Sequence, residues 1–246
     1  MQFFLYNNTF YHHNEMSIGP FDRGFTLGDG IFETLKITNS MPELWEHHIR
    51  RLKQGCKIMH LDCPQDLYEH ALSLIEKNNV HSAILKIIIS RQSLHRGLAI
   101  NAYPEVNITM TLSPLPKPPL LIKAHISTIK RNETSPLSRI KSLNYGDNIL
   151  AFQRALDAGY DDALMVNTQN QPCCFTIGNI VIETQEGDLL TPPFDTGCLD
   201  GTFLKTIPKL IYKNFTLKQA VKIWRSNSIS GLCEVKLDLI NACPIK

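Results

Sequence analysis

The chain of 246 residues has no C-x-x-C spacing, no long apolar run, no excess of one charge, no internal repeat and no low-complexity tract. Each absence removes a class of function. A formal net charge of +2, with no local basic patch, leaves no field to attract nucleic acid or a membrane surface. The opening MQFFLYNN lacks a basic region, and its apolar run is too short for a signal peptide or a spanning helix, so the expected compartment is the cytoplasm. Seven cysteines, at 56, 63, 173, 174, 198, 233 and 243, form an odd set that argues against a disulfide framework and a zinc cage. The adjacent pair Cys173 and Cys174 would point to opposite faces of an extended segment and could not easily grip one ion. No metal is expected.

What is present is an ordinary globular composition, 43% hydrophobic and 20% charged, enough to bury a substantial core. QFFLY, NN and TFYHH read as a hairpin, followed by the turn-rich GPFDRGFTLGDG and a strand IFETLKI. PELWEHHIRRLKQGCKIMHL reads as a helix with Pro42 in its first turn. LYEHALSLIEKNN reads as a second helix, AILKIIIS as a strand buried on both faces, and VNITMTL as an alternating strand. SPLPKPPL holds four prolines in eight residues and is the best candidate for a linker. A boundary near Pro118 gives a small N-terminal domain, 1–117, and a C-terminal domain, 118–246. Beyond it the pattern gives a strand LIKAHISTI, a helix from about Asn144 to Ala158, strands DALMVN and NIVIE with the cysteine pair between them, and a helix opening at Gly201. The mixture predicts an α+β fold.

Several residues could carry chemistry. Lys141 stands just ahead of a helix start and near Arg139, and both favour the neutral amine that a nucleophile needs, but taken alone it reads first as a solvated surface lysine. Gly201, Thr202 and Phe203 could offer backbone N–H groups to a phosphate at a helix start, or Gly201 could serve only the turn. Asn227, Ser228 and Ser230 form either an anion-binding cluster or a polar turn. Arg51 lies one position from the apolar stripe of its helix, where its fork could hold a phosphate or simply be solvated.

The order of DRGFTLGDGIFET, HIRRL, RIKSLNYGDNILA, DDALMV, a strand ending in Asn-Ile, LLTPP, GCLDGT and SNSISG resembles the fold-type IV pyridoxal-phosphate enzymes, from about Arg23 to Val235. That family, the class IV aminotransferases, holds branched-chain and D-amino-acid aminotransferases and aminodeoxychorismate lyases. The resemblance implies a two-domain fold like that of D-amino-acid aminotransferase, a small α/β domain followed by a larger α+β domain, with pyridoxal 5'-phosphate as cofactor and a homodimer as assembly. It implies that Lys141 is the Schiff-base lysine and that Arg51 holds the cofactor phosphate. Thr202 and Phe203 would add backbone N–H groups, Asn227 and Ser228 would complete the cup, Leu199 would pack on the pyridine ring, and Tyr145 would aim at its phenolic oxygen. Thr34 and Arg96 would face the substrate.

Two positions depart from the family pattern. Leu204 stands where G-I-T-R has its arginine. Aligned without gaps, Cys174 stands where the family has the glutamate that keeps the ring nitrogen protonated. A thiol, with an ordinary pKa of about 8.5, cannot supply that proton, and Cys173 beside it reads as buried filler. A weakened electron sink should hurt transamination more than a reaction driven by aromatisation. The short R-G arrangement of SRQSLHRGLAI is also typical of the family's lyases. The expectation is therefore a lyase that takes 4-amino-4-deoxychorismate to 4-aminobenzoate and pyruvate, on the route to folate. A D-amino-acid or branched-chain aminotransferase is the second reading, and a degenerate cofactor-binding relative the third.

Overall fold

The computed structural model describes residues 1–15, 18–92, 97–100 and 105–239. The chain divides into two compact units, Met1–Pro116 with Ile140–Asn144, and Lys117–Arg139 with Tyr145–Lys246.

The first unit opens on the hairpin β1 (Phe3–Tyr6) and β2 (Thr9–His12). Asn7 and Asn8 both adopt positive φ, 45° and 65°, as a two-residue turn of matching twist requires. Helix α1 (Arg23–Leu27) is capped by Asp22, whose carboxylate accepts the Phe25 N–H at 2.8 Å. Strands β3 (Gly30–Thr38) and β4 (Met41–Pro42) follow, then α2 (Trp45–Met59), α3 (Leu67–Lys77), β5 (Ser82–Arg91) and β6 (Val106–Ser113). Pro42 pairs with Ile37 in the β3–β4 hairpin and is no part of the helix; α2 starts three residues later, after Leu44 in a left-handed conformation.

The six strands form one sheet in the order β2-β1-β6-β5-β3-β4. Leu35, Ile37, Leu85, Ile87 and Ile89 alternate along β3 and β5 and are wholly buried in one core with Leu52, Cys56, Leu74 and Ile75 of the two longer helices. β5 is not buried on both faces: Ile84, Lys86 and Ile88, the residues between the core positions, are only half-buried. Its apolar run conceals a period of two, because isoleucine occupies the outer positions as well.

Ile140–Asn144 joins this unit although the chain has already left it. Phe32 N–H donates to Lys141 O at 2.8 Å, and Leu143 N–H to Gly30 O at 2.9 Å. Gly30 fits closely here, since a β-carbon on it would crowd Ile89 O and the Leu143 side chain.

The second unit comprises β7 (Leu121–Ile126), α4 (Gly146–Asp157), β8 (Asp162–Val166), β9 (Pro172–Phe175), β10 (Gly178–Thr184), β11 (Leu189–Thr191), β12 (Ile211–Tyr212), β13 (Ala220–Asn227) and β14 (Gly231–Asp238). They form an eight-stranded sheet, β12-β11-β10-β13-β14-β7-β8-β9, that β9 closes by also pairing with β10. Closure leaves the six strands from β10 round to β9 without a free edge. Ile122, Leu164, Phe175, Ile180, Ile182 and Val235 form the core of this unit. The helix expected to open at Gly201 is absent. Its place is taken by a single 3-10 turn, Phe203–Thr206, too short for a helix dipole to act.

Candidate active site

In the first unit, Lys141 is held by the backbone bonds to β3 and sets its Nζ 4.1 Å from the centroid of the Phe32 ring. Arg51, on α2, donates from Nε to Glu33 Oε1 and from a terminal nitrogen to Oε2, both at 2.7 Å. This fork-to-fork pair fixes the guanidinium plane. His48, one turn earlier on α2, meets Glu33 Oε2 through Nδ1 at 2.7 Å. Glu33 and His48 are both wholly buried. Burial raises the Glu33 carboxyl, but the charge and hydrogen bonds of Arg51, with His48, outweigh it and bring it to about 2. Burial lowers His48 against the pull of Glu33, with the charges of Arg51 and Lys141 adding to the fall, so the imidazole is held towards neutrality. His48 thus lies within reach of both cations, placing Arg51 and Lys141 in one neighbourhood. Thr34, half-buried on β3, stands directly across from Lys86 of β5. Arg96 lies outside the described residues.

Glu33, His48 and Lys86 were not singled out from the sequence. The signal for Glu33 exists: it occupies a core position in the alternation of β3, where a carboxylate needs a buried partner, and HIRRL on the next helix supplies one.

In the second unit, Tyr145 occupies the N-cap position of α4. Cys174 on β9 pairs with Met165 of β8 and Asn179 of β10. Both cysteines of the pair are buried in one small cluster with Cys198 and Met165, so the expectation that they face apart is corrected. The Cys173 thiol is raised by its hydrogen bond to Cys174 and by burial. Cys174 is lowered from the ordinary thiol value because it accepts from Cys173 and feels the charge of Arg131, with burial opposing. The described cysteines are all unpaired thiols, and among the described residues no group of three or more His, Cys, Asp or Glu is placed to hold a metal ion.

The loop after β11 is fastened to the barrel by Asn179, whose side-chain amide donates to Leu199 O at 2.8 Å. Gly201 is obligatory, since a β-carbon would overlap Asn179 Oδ1. Thr202 is buried, and the Phe203 ring lies against Gly231 at the turn joining β13 and β14. Leu204, the departure from the family arginine, is buried as well. In that turn Asn227 accepts from the backbone N–H groups of Ile229 and Ser230, at 3.0 and 2.8 Å, so its carbonyl shapes the loop that carries Ser228. The neighbouring Ser226 hydroxyl and Arg225 Nε are buried with no hydrogen-bond partner. Buried donors of this kind are costly unless a ligand satisfies them. Arg225 also donates to Asp162 Oδ2 at 3.0 Å, and Asp162 accepts from the Thr176 hydroxyl, an interior network that the sequence gave no reason to suspect.

The class IV amino-transferase family matches residues 30–237, and the chain belongs to that family. It is a fold-type IV enzyme, and its cofactor is pyridoxal phosphate. A Methanocaldococcus jannaschii protein named, provisionally, a branched-chain-amino-acid aminotransferase is 28% identical over 83% of this chain and 73% of its own. The aminodeoxychorismate lyase of Bacillus subtilis is 25% identical over 79% of this chain and 69% of its own. A solved Legionella pneumophila protein, provisionally named 4-amino-4-deoxychorismate lyase, superimposes with a TM-score of 0.84 at 26% identity, covering 94% of this chain and 90% of that one. Among the described residues no helix is long and apolar enough to cross a membrane.

Proposed function

We propose that the protein is a pyridoxal-phosphate-dependent 4-amino-4-deoxychorismate lyase, releasing pyruvate and forming 4-aminobenzoate for folate synthesis. What supports this reading is Cys174, which aligns with the family's ring-nitrogen acid and is buried beside Cys173 and Cys198. The residues present fit the cofactor. The unsatisfied Ser226 hydroxyl, with Thr202, Phe203 and Ser228 on adjoining loops, suits a phosphate, as does the oriented Arg51 fork. Leu199 would pack on the ring, Tyr145 would face its phenolic oxygen, and Lys141 would carry the cofactor. When bound, pyridoxal phosphate withdraws electrons from the substrate carbon bearing the amine. Lys141 Nζ would take the proton from that ring carbon, the carbon–oxygen bond to the three-carbon side chain would break as the ring becomes aromatic, and the released enolate would take a proton at its methylene carbon, returned by Lys141, to leave as pyruvate. Because aromatisation drives the step, a thiol at the ring nitrogen suffices where transamination would need an acid.

The protein would act in the cytoplasm as a homodimer. Ile18, Phe21, Phe25 and Leu27 are exposed in and beside α1, more apolar surface than a lone helix of this length ordinarily leaves in water. An aminotransferase is the second reading, favoured by the name of the archaeal relative.

The test supplies chorismate with an aminating partner and measures 4-aminobenzoate, then supplies D-alanine or leucine with 2-oxoglutarate. 4-Aminobenzoate formation that Lys141→Ala abolishes is the expected result. Transaminated product alone would overturn the proposal.

A further inference from the structure

The half-buried face of the first sheet carries Phe32, Thr34 and Lys36 from β3, Ile84, Lys86 and Ile88 from β5, and Thr109 and Thr111 from β6. Two of these side chains are cations, and they are treated differently. Lys36 has its counter-ion, with Nζ 3.2 Å from Glu43. Lys86 sits between Thr34 and Thr111 in the register, and among the described residues no carboxylate pairs with it. Its Nζ lies 4.8 Å from the centroid of Phe32, the same ring that holds Lys141 Nζ at 4.1 Å.

Both lysines thus bring an Nζ to the same ring. Burial, then the charge of Lys141, push the Lys86 ammonium down from its ordinary value. A half-buried lysine with a hydroxyl beside it and a second cation nearby is a poor arrangement for a surface and a good one for receiving an anion.

We propose that Lys86 is the residue that receives a carboxylate of the substrate, with Thr34 beside it as a hydroxyl donor. The assignment rests on Lys141 being the lysine at which the substrate reacts. Lys86 fixes the substrate at a set position relative to Lys141 Nζ and selects organic acids over neutral amines. The carboxylate belongs either to the ring of aminodeoxychorismate or to an α-amino acid, and the two sources are separable.

The experiment uses the holoenzyme of wild type, Lys86→Gln and Lys86→Arg, matched for melting temperature and cofactor content. Dissociation constants are measured by calorimetry for two pairs of probes: 4-aminobenzoate against aniline, and D-alanine against ethylamine. Lys86→Gln is expected to weaken 4-aminobenzoate about tenfold or more and to leave aniline unchanged, while Lys86→Arg keeps most of the affinity. In turnover, the loss should fall on KM rather than kcat. A loss confined to the D-alanine pair would keep the carboxylate role and reject the lyase. The inference is overturned if Lys86→Gln binds both carboxylates as tightly as wild type, if it loses the carboxylate-free probes equally, or if wild type prefers neither carboxylate.

Discussion

Glu33 ties together two residues of the first unit, because its carboxylate meets both Arg51 and His48. Its carboxyl is held at about 2, below its ordinary 4.5, so the stability it contributes is fully present above 4.5 and is lost as pH falls towards 2. His48 is also held below its ordinary value of 6.5, so charging it opposes folding from that pH downwards. Stability measured by urea denaturation should therefore begin to fall below about pH 6.5 and fall again below about 4.5, and His48→Gln should remove the upper of the two steps. A flat profile between pH 7 and 4 would contradict this. Removing one partner of the buried pair, as in Glu33→Ala, should lower stability by about 3–5 kcal/mol by breaking the buried fork between Glu33 and Arg51. Cys174 poses the other test at this scale. Cys174→Glu restores the acid that the family pattern has, and the expected result is a lyase rate equal to wild type with no gain in transamination. Brisk transamination by the wild-type protein would remove the reason for assigning it to the lyases.

The same contrast between local and distant determinants runs through the elements. The Asn7–Asn8 hairpin, α3 and the strands β6, β7 and β10 were legible, because a turn pair or a periodicity within a few residues decides them. What the sequence hid was pairing at long range: the return of Ile140–Asn144 to β3, and the closure of β9 onto β10. Lys141, Arg51 and the two loops were proposed for the site from their order along the chain. Lys86 was not, because its strand is apolar on both sides of it and a lone lysine there reads as solvated. The loop at Gly201 was misread as a helix start, since glycine before a threonine suits a helix and a tight turn equally. Its real constraint is steric. Gly201→Ala must push Asn179 off Leu199 O, and should cost about 1–3 kcal/mol of stability and weaken cofactor binding. Unchanged binding by equilibrium titration of the cofactor would show that this loop does not shape the phosphate cup.

For the whole molecule, the unresolved demand is the apolar surface that folding leaves uncovered. Phe25 is 73% exposed and Leu98 80%, with Phe21 and Ile18 each more than half exposed. They are not scattered. Arg23, buried within α1, donates to Asp29 and reaches the carbonyls of Gly97 and Leu98, which ties the helix and this loop into one surface. Arg91 completes the clamp on Asp29 at 2.9 Å, so the surface is braced from within by two arginines on one carboxylate. An apolar patch of this kind suits a self-complementary contact between two copies. The expected outcome is a dimer by sedimentation at micromolar concentration, with Phe25→Asp shifting the protein to monomer while its melting temperature stays within a few degrees, since Phe25 contributes little to its own fold. Arg23→Ala should weaken the dimer less abruptly, by loosening the support under Leu98. A wild-type monomer under the same conditions would mean that this surface serves another purpose and that the homodimer expected from the family does not extend to this chain.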